Sequence, residues 1–162
     1  MTVLVPMSAS VFVEFQRAAI ESYAKQNVAS GRWPAESAME FSRAEYQRLL
    51  PEGPATKDAH LFEIRESATN LTVGTLWLAV QNSTGTPTGY VFNVEIAEEH
   101  RRKGYATRAF EALEPICRDL GLVSVGLHVF AFNTAARRLY ETLGYEVTGI
   151  TMRKSLRRDG SV

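Results

Sequence analysis

Apolar positions change period several times along the chain, and each change marks an element. A β-branched run at residues 2–5 is stopped by Pro6, which predicts a first strand. After Ser8 and Ser10, either of which can cap a helix, Val11, Phe12, Phe15, Ala18, Ala19 and Tyr23 recur at three- and four-residue spacing. The stretch Ala29-Ser30-Gly31-Arg32-Trp33-Pro34 breaks that pattern. Pro34 suits the first turn of a second helix, which carries Met39, Phe41, Tyr46, Leu49 and Leu50 and ends at the Pro/Gly cluster of residues 51–54. Residues 60–65 and 72–81 predict an antiparallel strand pair with residues 67–70 as the turn, and residues 82–89 form a loop before a strand at 90–96. Helical spacing returns over residues 104–120, with Gly121 as a left-handed cap, and residues 122–130 follow as a strand. Asn133 caps a helix presenting Ala136, Leu139, Tyr140 and Leu143 on one face; Gly144 stops it, and residues 145–153 predict a last strand. The order is β-α-α-β-β-β-α-β-α-β, an α/β (α+β) class in which four helices flank a mixed sheet.

Composition narrows the classes. At 162 residues, 45% hydrophobic and 22% charged, the chain is expected to be one globular domain over residues 1–162. Eighteen Lys plus Arg balance eighteen Asp plus Glu, so the molecule as a whole does not attract nucleic acid or anionic membrane, and any basic site must be local. The single cysteine, Cys117, excludes an intrachain disulfide and a thiolate metal cage, and it fits a reducing cytoplasm. The first ten residues lack a basic region followed by an apolar one, and no run approaches the roughly 18 apolar residues of a membrane span. A cytoplasmic protein is expected, with Asn70-Leu71-Thr72 as a turn entering a strand rather than a glycosylation site.

The sharpest local chemistry lies at residues 96–107, where a strand gives way to a basic, Gly-containing turn that opens a helix. Unpartnered N–H groups and the helix dipole favour an anion there, Gly104 admits close backbone approach, and Arg101, Arg102 and Lys103 add charge. A solvated helix start with a tight-turn glycine explains the same residues. The spacing is neither G-x-G-x-x-G nor G-x-x-x-x-G-K-[ST], which argues against a dinucleotide site or a P-loop. The run Arg101-Arg102-Lys103-Gly104-Tyr105-Ala106 resembles the [QR]-x-x-G-x-[GA] pyrophosphate loop of the GNAT superfamily of acetyl-CoA-dependent N-acetyltransferases. Residues 133–145 resemble that family's second signature, N-x-x-A-x-x-L-Y-x-x-x-G-[FY]. The element order is similar over essentially the whole chain, most of all to small bacterial members whose acceptor is unassigned.

The resemblance implies a mixed, mostly antiparallel sheet in which the strand at 90–96 carries a bulge and splays from the strand at 127–130. The pantetheine arm of acetyl-CoA would lie in the resulting cleft, on the backbone of Val94 and Ile96. The pyrophosphate would sit on the loop Arg101, Arg102, Lys103, Gly104, Tyr105, Ala106 and Thr107. Asn133 would bind pantetheine, cap its helix, or do both. Tyr140 is implied as the general acid for the leaving thiolate, against a reading as a core aromatic. The base is open between Glu95, His128 and a water chain, while Glu98 and Glu99 belong to the solvated turn. Tyr23, Trp33, Trp77 and His128 could contact the acceptor; core packing explains the three aromatic residues equally well, and a hydrogen-bonded core histidine is the competing reading of His128. Arg153, Lys154, Arg157 and Arg158 read as a solubilising basic tail. No metal is expected, and Cys117 lies outside both motifs, so an acetyl-cysteine intermediate has no support.

The leading expectation is an N-acetyltransferase that moves acetyl from acetyl-CoA to a primary amine of a small molecule, amino acid or protein terminus, directly in a ternary complex. A silent acyl-CoA-binding regulatory module is the alternative, and a nucleic-acid-binding protein built on the basic loop and tail is a third class. The expected partner is the amine acceptor, with no nucleic acid and no membrane; the oligomeric state is open, a homodimer included.

Overall fold

The computed structural model describes residues 1–157. Its elements in chain order are β1 (Thr2–Pro6), α1 (Ala9–Ala29), α2 (Ala38–Leu49), β2 (Ala59–Glu66), β3 (Thr72–Gln81), β4 (Thr88–Ile96), α3 (Tyr105–Asp119), β5 (Val125–Leu127) and α4 (Thr134–Thr142). The sheet order is β1-β2-β3-β4-β5, antiparallel throughout except for the parallel pair β4 and β5. The expected class and the mostly antiparallel sheet are therefore present.

Strand alternation builds two cores. Phe62, Ile64, Leu76, Leu78 and Val91 pack against Ala109, Phe110 and Leu113 of α3. The other face sends Leu61 and Trp77 against Phe15, Ala19 and Tyr46 of α1 and α2. Each fully buried large side chain contributes roughly 1.5–3 kcal/mol, so the sheet is clamped from both sides. The Ser8 side chain caps α1 by accepting from the Val11 N–H, and Asn133 caps α4 by accepting from Ala136. Among the described residues no helix is long and apolar enough to cross a membrane.

Four expectations are corrected. The helix expected from Pro34 starts at Ala38, because residues 34–37 first make a turn in which the Ser37 N–H donates to the Pro34 carbonyl at 3.3 Å. The strand expected over residues 122–130 forms only at Val125–Leu127, where β4 lies alongside; beyond that the two diverge and no ladder exists to continue. The last strand, expected at 145–153, does not form: these residues have a strand pattern but no neighbouring strand among the described residues, and from Glu146 onward they are exposed. The tail is also more than a solubilising surface, since the Arg153 guanidinium donates to the carbonyls of Ser30 and Gly31 at the end of α1. Arg158 lies outside the described residues.

Candidate functional site

Strand β4 carries one residue more than its partner. Trp77 faces Asn93 while Leu78 faces Val91, so Phe92 is the bulged residue. The bulge puts Phe92 and Asn93 on the α1/α2 side together, and it moves Glu95 to that side while Val94 and Ile96 pack toward α3. Glu95 therefore shares a face with Asn93 but not with Val91. The main chain is equally ordered. The Ala97 N–H donates to the Val73 carbonyl at 2.9 Å, and the Glu95 carbonyl faces Gly74, where a Cβ would strike it. By antiparallel alternation the backbone groups of Val94 and Ile96 turn the opposite way, to the side that β5 leaves open after Leu127. The Ile96 carbonyl is occupied there by Arg101 Nε at 3.0 Å, leaving the Val94 groups and the Ile96 N–H.

The loop after β4 passes through a 3₁₀ turn, Glu98–His100, and reaches α3 with Arg102 at φ 58° and Gly104 at φ 78°. Its cations have different tasks. Arg101 braces Ile96, and Lys103 Nζ donates to the Glu99 carbonyl at 2.9 Å, whereas the Arg102 side chain has no bond among the described residues. Gly104 is needed for its positive φ, and a Cβ there would also meet Arg108 Nη1 at 2.7 Å. Arg108 ties the loop to β1, donating to Thr2 Oγ1 and the Lys103 carbonyl, both at 3.0 Å, and lies 4.8 Å over the Tyr105 ring. The Tyr105 ring is buried and its hydroxyl donates to Glu66 at 2.9 Å, so only its main chain serves the loop. The first N–H of α3 with a helical partner is that of Arg108; those of Tyr105, Ala106 and Thr107 precede it.

A cleft of about 320 Å³ joins the open side of β4 to α4 and to the α1/α2 face. Val94, His128, Asn133 and Tyr140 line one half. Asn133 and Tyr140 are seven residues apart on α4 and so share one face. The Asn133 side-chain Oδ1 accepts the Ala136 N–H at 3.2 Å, which leaves its side-chain amide hydrogens for another partner. The Tyr140 ring packs edge-on to Phe110 at 5.5 Å and against Tyr145 at 5.9 Å, burial pushes its phenol pKa up, and its hydroxyl has no partner among the described residues.

Tyr23, Gln26, Arg32, Glu45 and Tyr46 line the other half. Trp77 forms its wall and is 1% exposed, stacked on Phe92 at 4.6 Å. Trp33 is not in the lining; it stands edge-on behind Tyr23 at 5.3 Å. Glu95 also lies outside the lining, 44% exposed, with a carboxylate oxygen 3.9 Å from Arg101. The His128 ring in the cleft is edge-on to Phe130 at 4.9 Å. Among the described residues two buried polar atoms here have no partner, Trp77 Nε1 and Asn93 Oδ1. Burial raises the Tyr46 phenol pKa far above its usual value, Tyr23 and Glu95 push the same way, and Asn93 opposes them. The Glu45 carboxyl is held low by Arg48, whose guanidinium is 2.7 Å away.

Sequence reasoning passed over Tyr46, Asn93, Glu45 and Arg32. Tyr46 has the spacing of a core residue, and Glu45 and Arg32 that of a solvated surface. Asn93 alone left a trace, as an amide inside an aromatic and aliphatic strand.

A family model described as the acetyltransferase (GNAT) family matches residues 26–145. The chain is 33% identical over 153 residues to a Bacillus subtilis (strain 168) protein named uncharacterized N-acetyltransferase YycN, covering 94% of this chain and 97% of that one. It is 32% identical over 150 residues to uncharacterized N-acetyltransferase YdgE of the same organism, covering 93% and 95%. The crystal structure of the putative acetyltransferase YycN superposes with a TM-score of 0.92 at 32% identity, over 98% of this chain and all of that one.

Proposed function

The chain belongs to the GNAT family of acetyltransferases, and from that premise we propose that it transfers acetyl from acetyl-CoA directly to a primary amine while both substrates are bound. One observation supports this above the others: the open edge of β4, the Asn133 and Tyr140 face of α4, and an aromatic pocket with unpaired polar atoms share a single cleft. In this reading pantetheine pairs with the free Val94 backbone groups and the Ile96 N–H as an added strand would. The pyrophosphate rests on the N–H groups between Arg102 and Thr107, with Arg102 as the uncommitted cation. The Asn133 amide donates to pantetheine.

The acceptor enters from the α1/α2 side, where Tyr23 gives an aromatic face, Trp33 backs Tyr23, Trp77 is packed too deeply to touch the acceptor with its face, and the orphaned Asn93 oxygen accepts an amine N–H. The amine nitrogen bonds to the thioester carbon, the C–S bond breaks, and Tyr140 protonates the departing sulfur. Glu95 takes the amine proton through water, since it shares the face of Asn93 but stands outside the lining. His128 is a second proton acceptor, favoured by its place in the cleft itself. Cys117 is buried in α3 and burial raises its thiol pKa, which suits a packed thiol and not an acyl carrier.

The test is a panel of primary amines with release of free CoA as the readout, joined to calorimetric titration with acetyl-CoA. Turnover with at least one amine is expected. Titration without turnover for every amine favours the silent acyl-CoA-binding module, and no titration removes both. Arg102→Ala should weaken acetyl-CoA binding about 5- to 50-fold and flatten its salt dependence, with melting unchanged. Comparing Glu95→Gln with His128→Ala assigns the base to the variant whose turnover falls at least about 100-fold.

A further inference from the structure

The lining of the cleft holds two fixed charges, Glu45 and Arg32, and only one of them is balanced. Glu45 accepts from Arg48 Nη2 at 2.7 Å and from Arg48 Nε at 3.1 Å, a fork that uses both carboxylate oxygens. Arg32 has no such partner. It is exposed, and among the described residues it forms no ion pair. The charge left over in the cleft is therefore positive.

Its place is nonetheless set from below. Gly31, at φ 69°, turns the chain out of α1, and the main-chain N–H groups of Arg32 and Trp33 donate to the Asn27 carbonyl at 2.9 and 3.2 Å. The Asn27 side chain is fully buried: its Nδ2 donates to the Tyr23 carbonyl at 2.8 Å, and its Oδ1 accepts from Arg32 Nη1 at 3.3 Å. Nη1 also reaches the Tyr23 hydroxyl at 3.4 Å, and the guanidinium lies 5.6 Å over the Trp33 ring. These are long bonds from one nitrogen to neutral oxygens. Nε and Nη2, the edge that engages a carboxylate through two parallel bonds, donate to nothing among the described residues. An arginine with a structural task spends that edge, as Arg108 does on Thr2 and the Lys103 carbonyl.

The opposite need lies in the same cleft. Asn93 Oδ1 is a buried acceptor with no donor among the described residues, and Tyr46 beside it stays a neutral phenol because burial raises its pKa. Tyr23 and Tyr46, with ring centres 6.1 Å apart, bridge from Arg32 to Asn93. An unmatched acceptor and an unmatched fork of donors thus face one cavity, and a ligand that answers both carries an N–H donor and an anion. We propose that Arg32 binds the carboxylate of the acceptor while Asn93 receives its amine, so that the acceptor is a free amino acid. This rests on the reading of the cleft as an acetyl-transfer site. A simple amine would leave the Arg32 edge unused, and a peptide terminus has an amide where the carboxylate would be.

The test sets each common amino acid against its amide and its decarboxylated amine, phenylalanine against phenylalaninamide and phenethylamine for example, by release of CoA and by calorimetric titration. For the amino acid that is used best, kcat/KM should exceed that of its amide about 10- to 100-fold, through KM rather than kcat. Arg32→Gln should bring this ratio close to one while melting and acetyl-CoA affinity do not move, and Arg32→Lys, a cation without the fork, should recover part of it. Equal use of acid and amide, or a preference that survives in Arg32→Gln, overturns the proposal and leaves acetyl transfer standing. If Arg32→Gln does not fold, Arg32→Lys decides: a preference reduced at least about 3-fold supports the site, and an unchanged one overturns it. Titration by an amino acid that depends on Arg32, with no release of CoA, keeps the carboxylate site and overturns acetyl transfer. Neither turnover nor titration with any amino acid overturns the proposal.

Discussion

Burial keeps the Tyr140 proton on its oxygen at neutral pH, because a phenolate packed between Phe110 and Tyr145 would lose hydration. Tyr140→Phe retains the ring and its packing. Turnover should fall about 10²- to 10⁴-fold in single-turnover kinetics with acetyl-CoA affinity nearly unchanged, whereas a purely structural tyrosine would cost about 1 kcal/mol of stability and little rate. A second residue acts on folding. Glu63 is 1% exposed, and it accepts from the Ser8 N–H at 3.0 Å, from Thr72 at 2.8 Å and from Arg65 at 2.8 Å. Burial alone would raise its pKa, yet these donors outweigh it and bring the carboxyl down to about 2. A depressed folded pKa gives stability that is complete above the unfolded value near 4.5 and lost as pH falls toward 2. Glu63→Gln should therefore destabilise by roughly 3 kcal/mol at pH 7 in denaturant melts, and the gap from wild type should close between about pH 4.5 and pH 2. Nothing in the strand pattern around Glu63 distinguishes it from a solvent-facing glutamate; its partners come from β3 and the start of α1.

At the scale of elements, the site depends on how closely β3 and β4 approach. Gly74 opposes Ile96, and the Glu95 carbonyl occupies the space a side chain would need. Gly74→Ala should push β4 away from β3, cost roughly 1–3 kcal/mol in denaturant melts, and weaken acetyl-CoA binding measured by calorimetry through the displaced Val94 and Ile96 backbone. The existence of these strands was legible because their apolar and β-branched runs are bounded by turn residues. The side that each residue faces was not. Strict alternation places Glu95 with Val91, and one bulged residue, Phe92, reverses that; a bulge is a matter of two strands in register, which one strand's sequence does not encode. The loop and α4 were more legible, because Gly104 and Asn133 answer local demands, a positive φ and a helix cap.

For the molecule as a whole, acetyl-CoA bound between β4 and the segment after β5 would join two parts of the sheet that diverge after Val91. Ligand at about one hundred times its dissociation constant should add about 2.7 kcal/mol to stability, which for a domain of this size raises the melting temperature by roughly 5–10 °C in calorimetric scans. The order of elements from β1 to α4, the basic loop and the α4 motif were determined by the sequence alone, because periodicity, caps and turn glycines act within a few residues of the chain. Tertiary structure alone decided three other matters. It set Asn93, Tyr46 and Trp77 around one pocket, it took Trp33 and Glu95 out of the lining, and it left residues 145–153 without a strand. The reason is the same in each case: a cleft, an orphaned polar atom and a ladder partner are relations between segments far apart in sequence, and a strand exists only where another strand lies beside it.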